Sequence, residues 1–276
     1  MITRACISIN NRCNLNCTYC HFHEKKEFIT KQEYDICEVL DNIIIHIKKH
    51  DLTNFKLGFV GNGEPLLDYS SLKEYIFRIS EYLKDGRIAA YIITNGLLID
   101  EEKLLFFKEN KVNVSFSIDG IADIHDKYRC GSHEKVSKKI NLYKKIFGKN
   151  PPMNCTVGKE HLQRIEETID FFSQFDSRIT FSRMIGKYGI SLDEFHRFME
   201  KVKPRLNVRT GGYDCTMYGG LCGAGLDNVF YANGYVYLCG NCIDLPFKFP
   251  ACTALDNITF DIKDFDRTKC YKEISK

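Results

Sequence analysis

The stretch NRCNLNCTYC, residues 11–20, contains three cysteines spaced C-x3-C-x2-C. A four-iron cluster takes four thiolates, so a loop that offers three leaves one iron without a protein ligand. In zinc proteins an open metal position separates a catalytic site from a closed structural one, and we apply the same logic to iron. The stretch therefore predicts a reactive cluster on Cys13, Cys17 and Cys20 whose free iron binds a small molecule.

The composition is that of a globular protein, with 44% hydrophobic and 27% charged residues in 276. A net charge of +3 does not indicate binding to nucleic acid or to a membrane surface. No run approaches the roughly 18 apolar residues of a membrane span, and the first residues lack the apolar region of a signal peptide. We therefore expect a cytoplasmic protein.

Thirteen cysteines is a high count. A disulfide framework is disfavoured because the number is odd, the chain is long and no secretion signal is present. The cysteines cluster near the two ends of the chain, at 13–20 and 215–270, which indicates metal ligands.

Strand and helix patterns alternate from residue 5 to about 185, beginning with a strand that leads directly into the cysteine loop. The predicted strands are 6–9, 55–60, 88–93, 112–118, 153–157 and 178–181. The predicted helices include 72–83, 101–107, 136–147, 162–175 and 191–202. Such alternation predicts an α/β fold with a parallel sheet. Six units are too few for a closed eight-fold barrel, so we expect a partial (β/α)6 barrel over residues 1–204.

Polar and glycine-rich segments follow the predicted strands. They are GNGEP at 61–65, TNG at 94–96 and SIDG at 117–120. In parallel α/β folds, the loops at the carboxyl ends of the strands carry the reactive groups. Each segment alone is ordinary turn chemistry, but beside the cysteine loop they predict one site.

The character of the chain changes from about residue 205. Helical periodicity stops, and strands at 229–232 and 235–238 flank Asn233-Gly234, a strong hairpin signal. Cys222 precedes this hairpin and Cys239 closes it. We expect residues 205–276 to form a small separate domain.

These residues together resemble the radical S-adenosylmethionine (SAM) enzymes over residues 5–186. The shared features are the cysteine loop with Tyr19 before its last cysteine, and the segments at 61–65, 94–96 and 117–120. Asn62 stands where the family has the first glycine of Gly-Gly-Glu, and residues 125–129, HDKYR, resemble the segment whose arginine contacts the SAM carboxylate. The resemblance implies a [4Fe-4S] cluster that binds SAM. After one electron from a flavodoxin- or ferredoxin-type reductant, SAM would yield a 5′-deoxyadenosyl radical that abstracts a substrate hydrogen.

The resemblance also implies the residues that bind SAM. Those predicted are Gly61, Gly63, Glu64, Asn95, Ser117, Asp119, Arg129 and Met184. The glycines let the backbone approach the methionine end, Ser117 suits a ribose hydroxyl, and the planar fork of Arg129 suits a carboxylate. Turn chemistry at Ser117 and Asp119, and a surface ion pair at Arg129, remain the alternatives.

The tail resembles the SPASM/Twitch extensions that hold auxiliary iron–sulfur clusters. The C-x2-C-x5-C-x3-C run of a full SPASM domain is missing, so one auxiliary cluster is expected, of the [4Fe-4S] type. Its predicted ligands are Cys215, Cys222, Cys239 and Cys252, with Cys242 and Cys270 as alternatives to the last. A zinc ion is the competing interpretation, because C-x2-C at 239–242 suits zinc as well.

The resemblance also implies that a leftover thiol could return a hydrogen atom to the substrate, as the radical epimerases of this family do. Cys155 and Cys242 are the candidates for this catalytic role. For Cys155, the alternative is a small buried apolar side chain.

Three functions are open at this point. Modification of a ribosomally made peptide, by epimerisation, thioether formation or a carbon–carbon crosslink, is favoured by the Twitch-like tail. The chain begins at the first strand, so no amino-terminal leader-binding domain is expected. This expectation disfavours the peptide-modifying function. Oxidation or rearrangement of a small molecule such as a sugar or nucleotide is the second, because the chain is compact and an auxiliary cluster can accept the substrate electron. The similarity of residues 58–120 to the molybdenum-cofactor cyclase keeps a nucleotide substrate open. A two-cluster electron carrier is the third, but it would need no SAM-like segments.

Overall fold

Strands and helices alternate along the barrel part of the chain as the sequence predicts. The structure, a computed structural model, describes residues 1–20, 34–209, 221–262 and 265–271. The strands of this part are β1 (Arg4–Ile7), β2 (Phe55–Phe59), β3 (Ile88–Thr94), β4 (Asn113–Ser117), β5 (Met153–Val157) and β6 (Ile179–Arg183). The α-helices are α1 (Ile36–Lys49), α2 (Tyr69–Arg78), α3 (Ser80–Lys84), α4 (Glu101–Glu109), α5 (Ala122–Tyr128), α6 (His133–Phe147), α7 (Lys159–Gln163), α8 (Ile165–Ser173) and α9 (Leu192–Val202).

The six barrel strands lie side by side in chain order and all pair in parallel. Side chains of β3 alternate between buried and half-buried, which is the period of a strand with one face on the core. Helix α1 buries its 3.6-residue apolar stripe against the core cluster, and Asp35 caps its start by accepting from the Cys37 N–H at 2.8 Å. The predicted α/β fold with an open parallel sheet is confirmed.

The predicted hairpin of the tail is also confirmed. Strands β7 (Asn228–Ala232) and β8 (Tyr235–Tyr237) are antiparallel, and both turn residues, Asn233 and Gly234, have positive φ. Positive φ at both central residues matches the right-handed twist of the strands, which is why Asn-Gly favours this turn. Strand β9 (Lys248–Pro250) pairs with β8.

The hairpin continues the barrel sheet. Strand β7 pairs in parallel with β1, with Arg4 opposite Asn228 and Ile7 opposite Tyr231, so the sheet runs β6-β5-β4-β3-β2-β1-β7-β8-β9. This pairing places the tail beside the strand that feeds the cysteine loop. The boundary between residues 204 and 205 stays a prediction.

Two predicted helices are each divided in the structure. The span 72–83 covers most of α2 and α3, which are separated at the fully buried Ile79. The span 162–175 covers the end of α7 and all of α8, which are separated at Arg164. Both separating residues leave helical dihedral angles, with φ −101° and ψ 8° at Ile79 and φ −124° and ψ 45° at Arg164. One residue with non-helical dihedral angles hardly shifts the apolar period, so the sequence pattern predicts one continuous helix. Helix α5 was not predicted, because seven residues are too few to show a period.

In the part of the chain that the structure describes, no helix is both long enough and apolar enough to cross a membrane.

Candidate active site

A cavity of about 390 Å³, called the main cavity below, lies where the six parallel strands end. Its wall includes ten of the predicted site residues: Cys13, Cys17, Cys20, Gly61, Gly63, Glu64, Asn95, Ser117, Arg129 and Met184. Residues from the loops or ends of all six strands contribute, since Thr156 and Ser182 line it as well. The structure thus brings the cysteine loop and the polar segments into one site, as the topology of parallel strands predicts.

The cysteine loop is held by backbone contacts at its end. The Thr18 N–H donates to the Tyr128 carbonyl at 3.0 Å, and the Cys20 N–H donates to the Cys17 carbonyl at 3.0 Å. The latter bond closes a tight turn between two of the three thiols. Burial raises the pKa of Cys17 to about 12, so metal binding at this thiol must displace a proton.

Glu64 joins the first three strand-end loops. Its buried carboxylate accepts from the Thr94 hydroxyl at 2.7 Å and from the Asn95 N–H at 2.8 Å, and its own N–H donates to the Arg12 carbonyl at 2.7 Å. Asn95 in turn donates to the Asn14 side chain at 2.7 Å. Burial raises the pKa of Glu64 despite these bonds to the carboxylate. Although Glu64 borders the cavity, its carboxylate positions the loops.

Gly63 lies where the second loop crosses the cysteine loop. A Cβ at Gly63 would lie 2.0 Å from the Asn10 Oδ1 and 2.4 Å from the Arg12 carbonyl oxygen. Gly61 has φ 147°, and a Cβ there would lie 2.8 Å from Ser8. Both positions need glycine because other backbone or core atoms occupy the space of a side chain.

Replacing Gly63 with alanine is expected to push the cysteine loop away from the 61–65 segment. The close atom at 2.4 Å belongs to backbone, which cannot rotate aside, so we expect a loss of about 1–3 kcal/mol in the free energy of unfolding and weaker cluster retention. Chemical denaturation and iron analysis measure the two effects. Gly240→Ala is the control for the unfolding measurement, since the atoms nearest to its Cβ would belong to the Phe230 ring, at 3.3 Å or more. Equal losses in the free energy of unfolding of the two variants would contradict this assignment.

Asp119 is the centre of a buried network. It is fully buried, and its carboxylate accepts from the Tyr19 hydroxyl at 2.6 Å, from the Arg129 Nε–H at 2.7 Å and from the Thr156 N–H at 2.9 Å. Burial alone would raise the pKa of Asp119, but the charge of Arg129 and these hydrogen bonds lower it below its ordinary value. The structure places Asp119 behind the cavity wall, where it orients Arg129.

Arg129 is 8% exposed and borders the cavity, so its ion pair with Asp119 is a buried pair. Burial lowers the pKa of Arg129, yet the negative charge of Asp119 outweighs this and raises it well above its ordinary value. The guanidinium also lies over the Tyr19 ring, 5.5 Å from its centroid. A permanent cation is therefore held at the wall of the cavity.

Two buried histidines support Asp119 and were not assigned a role from the sequence. His125 Nδ1 accepts from the Asp119 N–H at 3.2 Å, and His161 Nε2 lies 3.1 Å from the Asp119 carbonyl oxygen. Since that carbonyl can only accept, His161 carries its proton on Nε2. Burial lowers the pKa of His125 to about 4, so this ring is neutral near pH 7. Only His125, within the HDKYR segment, had a sequence signal.

Cys155 lies outside the wall of this cavity. The residue is 1% exposed, and its Sγ lies 3.6 Å from His161 Nε2. Its neighbour Thr156 lines the cavity, so the alternation of β5 turns Cys155 to the other face. Burial raises the pKa of this thiol well above its ordinary value. The structure thus seats Cys155 as a core side chain.

The described tail cysteines fall into three places. Cys239 and Cys242 are neighbours, with 3.4 Å between their Sγ atoms, in a turn closed by the bond from the Cys242 N–H to the Cys239 carbonyl. Cys252 is exposed, and its carbonyl accepts from the Asn42 side chain at 3.1 Å. Cys270 lines the main cavity. The predicted ligand Cys215 lies outside the described residues.

Cys222 belongs with the first of these places. Burial raises the pKa of its thiol, and the nearby Cys239 raises it further. Among the described residues, no three cysteine sulfurs lie within 4.8 Å of one another, as the ligands of a single ion would. Each thiolate of a four-iron cluster binds a different iron, so its ligands stand further apart than those around one ion.

Known proteins are similar to this chain in sequence and in fold. The model of the radical SAM superfamily matches residues 7–202. The cysteine-type anaerobic sulfatase-maturating enzyme of Clostridium novyi (strain NT) is 26% identical over 225 residues, which cover 70% of this chain and 56% of that protein. The chain spans about half the length of the sulfatase-maturating relatives of this type that it matches.

Two solved structures have the same fold. "Native anSMEcpe with bound AdoMet and Cp18Cys peptide" has a TM-score of 0.70 at 19% identity, covering 99% of this chain and 85% of that one. "Crystal structure of Streptococcus suis SuiB bound to S-adenosylmethionine" has a TM-score of 0.73 at 17% identity, covering 96% and 66%. At these identities the likeness shows the fold.

Proposed function

The chain belongs to the radical SAM superfamily, and from this premise we propose that it is a SPASM/Twitch-type enzyme that cleaves SAM reductively and modifies a peptide. The observation that carries the proposal is the wall of the main cavity, where three thiols and the buried cation of Arg129 face the same space.

The residues present fit a [4Fe-4S] cluster and SAM. Cys13, Cys17 and Cys20 supply three thiolates and leave one iron for SAM. When bound, the reduced cluster and SAM supply the one-electron chemistry that removes a hydrogen atom from a substrate. The protein's own part is to hold these groups and to exclude water from them.

Arg129 is the proposed partner of the SAM carboxylate. Its Nε is committed to Asp119, so the two terminal nitrogens are the ones that would meet a carboxylate in the cavity. The backbone of Gly61 and Gly63, the hydroxyl of Ser117 and the segment around Met184 are the proposed contacts for the remainder of SAM. Asp119 and Glu64 act as positioning residues, since their carboxylates are directed to protein groups.

A peptide substrate is supported by the relatives. One relative is a sulfatase-maturating enzyme, which acts on a protein, and one structure of the same fold holds a peptide. A small-molecule substrate and a plain electron carrier are the other outcomes of the test.

The test starts with the anaerobically reconstituted protein, dithionite and SAM, and measures 5′-deoxyadenosine. A protein with full cluster loading that releases none contradicts the enzyme proposal. Peptides deuterated at single residues then report the substrate, because hydrogen abstraction transfers deuterium into 5′-deoxyadenosine. Transfer from a peptide supports the proposal, and transfer only from a deuterated nucleotide or sugar shows the small-molecule function.

We further propose that Cys222, Cys239 and Cys242, with Cys215, hold the auxiliary cluster. The support is that Cys242 lies in the same turn as Cys239, whereas Cys252 is exposed on the surface. The two Sγ atoms are 3.4 Å apart, so they would separate to bind different irons of the cluster. The sequence favoured Cys252 as the fourth ligand, with Cys242 as an alternative, and this proposal reverses that order. It also removes Cys242 from the candidates for hydrogen donor.

The Cys242→Ala variant is expected to lose the auxiliary cluster, and Cys252→Ala is its matched control. Two four-iron clusters correspond to about eight iron atoms per chain, so iron should fall to about four in Cys242→Ala and stay near eight in Cys252→Ala. Iron and sulfide analysis measures this. The reverse result restores Cys252 as the ligand, and about four iron plus one zinc in the unmodified protein identifies a zinc site.

A further inference from the structure

Two histidines and an aspartate meet outside the candidate active site. His46 and His50 lie at the carboxyl end of α1, and Asp256 lies in the turn Leu255–Asn257 of the tail. One ligand atom from each lies within 4.8 Å of the other two. The cluster borders on Ile2, just before β1 begins, whereas the candidate active site lies where the strands end.

The hydrogen bonds of His46 determine which of its nitrogens faces the cluster. His46 Nε2 lies 2.9 Å from the Ile2 carbonyl oxygen, which can only accept, so Nε2 carries a proton. In the neutral ring, Nδ1 then presents a lone pair, and it lies 2.6 Å from Asp256 Oδ1. At this distance the two atoms need a proton or a metal ion between them. A backbone carbonyl that fixes the tautomer in this way is the usual companion of a metal-binding histidine.

The same aspartate oxygen is shared by the second histidine. His50 Nε2 lies 2.8 Å from Asp256 Oδ1, so three ligand atoms converge on one point. Zinc bonds to nitrogen and oxygen are about 2.0–2.2 Å, which puts two tetrahedral ligands about 3.3 Å apart. The site would open by roughly 0.7 Å on the His46 side and roughly 0.5 Å on the His50 side to admit the ion. The partly exposed side chains of His50 and Asp256 leave room for this shift.

A second cavity, of about 360 Å³, adjoins the three side chains. Its wall includes all three, together with Ile2, Leu226 and Phe260. A zinc ion with three protein ligands keeps a fourth position for water or another small ligand, and this cavity supplies the space for it.

We propose that His46 Nδ1, His50 Nε2 and Asp256 Oδ1 form a zinc site, distinct from the iron–sulfur sites, whose fourth position opens to this cavity. The ion connects helix α1 to the tail and, through the His46 ring, to the residue that precedes β1. It stabilises the attachment of the tail to the barrel. The alternative is an ion-pair cluster without metal, in which a proton occupies His46 Nδ1.

Lys49 offers a matched control within the same cluster. Its Nζ lies 2.7 Å from Asp256 Oδ2, the oxygen that does not face the histidines. In the metal-free alternative, Lys49 and His50 both pair with Asp256, so removing either weakens one cluster. In the zinc site the two substitutions have opposite effects on metal affinity. Removing His50 removes a ligand, whereas removing Lys49 removes an ammonium that repels the ion.

The experiment uses the full chain with its iron–sulfur clusters reconstituted, so that the cluster thiols are occupied, and titrates it with Co²⁺ as the spectroscopic substitute for Zn²⁺. Two nitrogens and one oxygen should give visible ligand-field bands without the sulfur-to-cobalt bands of a thiolate site, and Zn²⁺ should displace them. Loss of a group that only supports a ligand typically costs about 10–100-fold in metal affinity. Loss of a ligand itself should cost at least as much, so His50→Ala should raise the Kd for Co²⁺ by at least about tenfold. Lys49→Gln should keep the Kd or lower it.

Zn²⁺ should also raise the Tm of the unmodified protein and of Lys49→Gln, but not that of His50→Ala. Absence of cobalt bands in the unmodified protein overturns the proposal. Cobalt bands that persist unchanged in His50→Ala also overturn the proposal. A Tm that both substitutions lower equally and Zn²⁺ does not shift identifies the metal-free cluster.

Discussion

Cys17→Ala is expected to abolish 5′-deoxyadenosine formation and to leave only the iron of the auxiliary cluster. Two remaining thiols would leave two irons of the cluster without a protein ligand, and the position for SAM would no longer be unique. Cys17 lines the main cavity, and the turn closed by its carbonyl also positions Cys20. Iron analysis and chromatography of the SAM cleavage products measure both effects.

Cys37→Ala is the matched control for this variant. Cys37 lies on helix α1, and its contact with the Asp35 cap uses the backbone N–H, which alanine keeps. We expect its iron content and SAM cleavage to equal those of the unmodified protein. A Cys17→Ala protein that still forms 5′-deoxyadenosine would remove the cysteine loop from the catalytic site.

Asp119→Asn is expected to have the largest effect on stability. The substitution leaves the Arg129 cation buried without its partner, and breaking a buried pair from one side costs about 3–5 kcal/mol. It also removes the strongest acceptor of the Tyr19 hydroxyl, which belongs to the cysteine loop. We therefore expect a lower free energy of unfolding, measured by chemical denaturation, together with weaker SAM binding.

The pH dependence of this difference follows from the pKa of Asp119. Its pKa in the folded protein is below the ordinary value of 3.8, so the ionised form is favoured by folding. The contribution is present in full above the unfolded pKa and is lost as the pH falls through the lower, folded pKa. The stability gap between the unmodified protein and Asp119→Asn should therefore stay constant near neutral pH and shrink only in acid.

Asp123→Asn is the control for Asp119→Asn. Asp123 pairs with Arg164 at 3.1 Å, but its side chain is 75% exposed. Exposed pairs contribute about 0–1 kcal/mol, so this variant should be close to unmodified in stability. Similar losses in the two aspartate variants would show that burial does not govern the strength of the Asp119–Arg129 pair.

Much of the barrel was predictable because its signals are local. The buried alternation of β3 and the apolar stripe of α1 are visible within windows of a few residues, since a core face imposes one period on each element. The divided helices at Ile79 and Arg164 were not predictable. One residue with non-helical dihedral angles leaves the apolar period intact, and its position depends on what it packs against.

The candidate site, like the barrel, was predictable from the sequence only in part. Parallel topology predicted that residues 61–65, 94–96 and 117–120 would meet the cysteine loop, and the cavity wall brings them together. It did not predict that Asp119 turns inward to Arg129. That choice depends on burial and on partners up to 100 residues away, such as Tyr19.

The sequence by itself determined the family and the three thiols of the cysteine loop, because ligands spaced three and four residues apart share one loop whatever surrounds them. Only the tertiary structure decided which distant side chains meet. It placed Cys242 against Cys239 and brought Asp256 to His46 across 210 residues. Such contacts depend on strand register and on the packing of the tail against β1, and no local pattern in the chain records them.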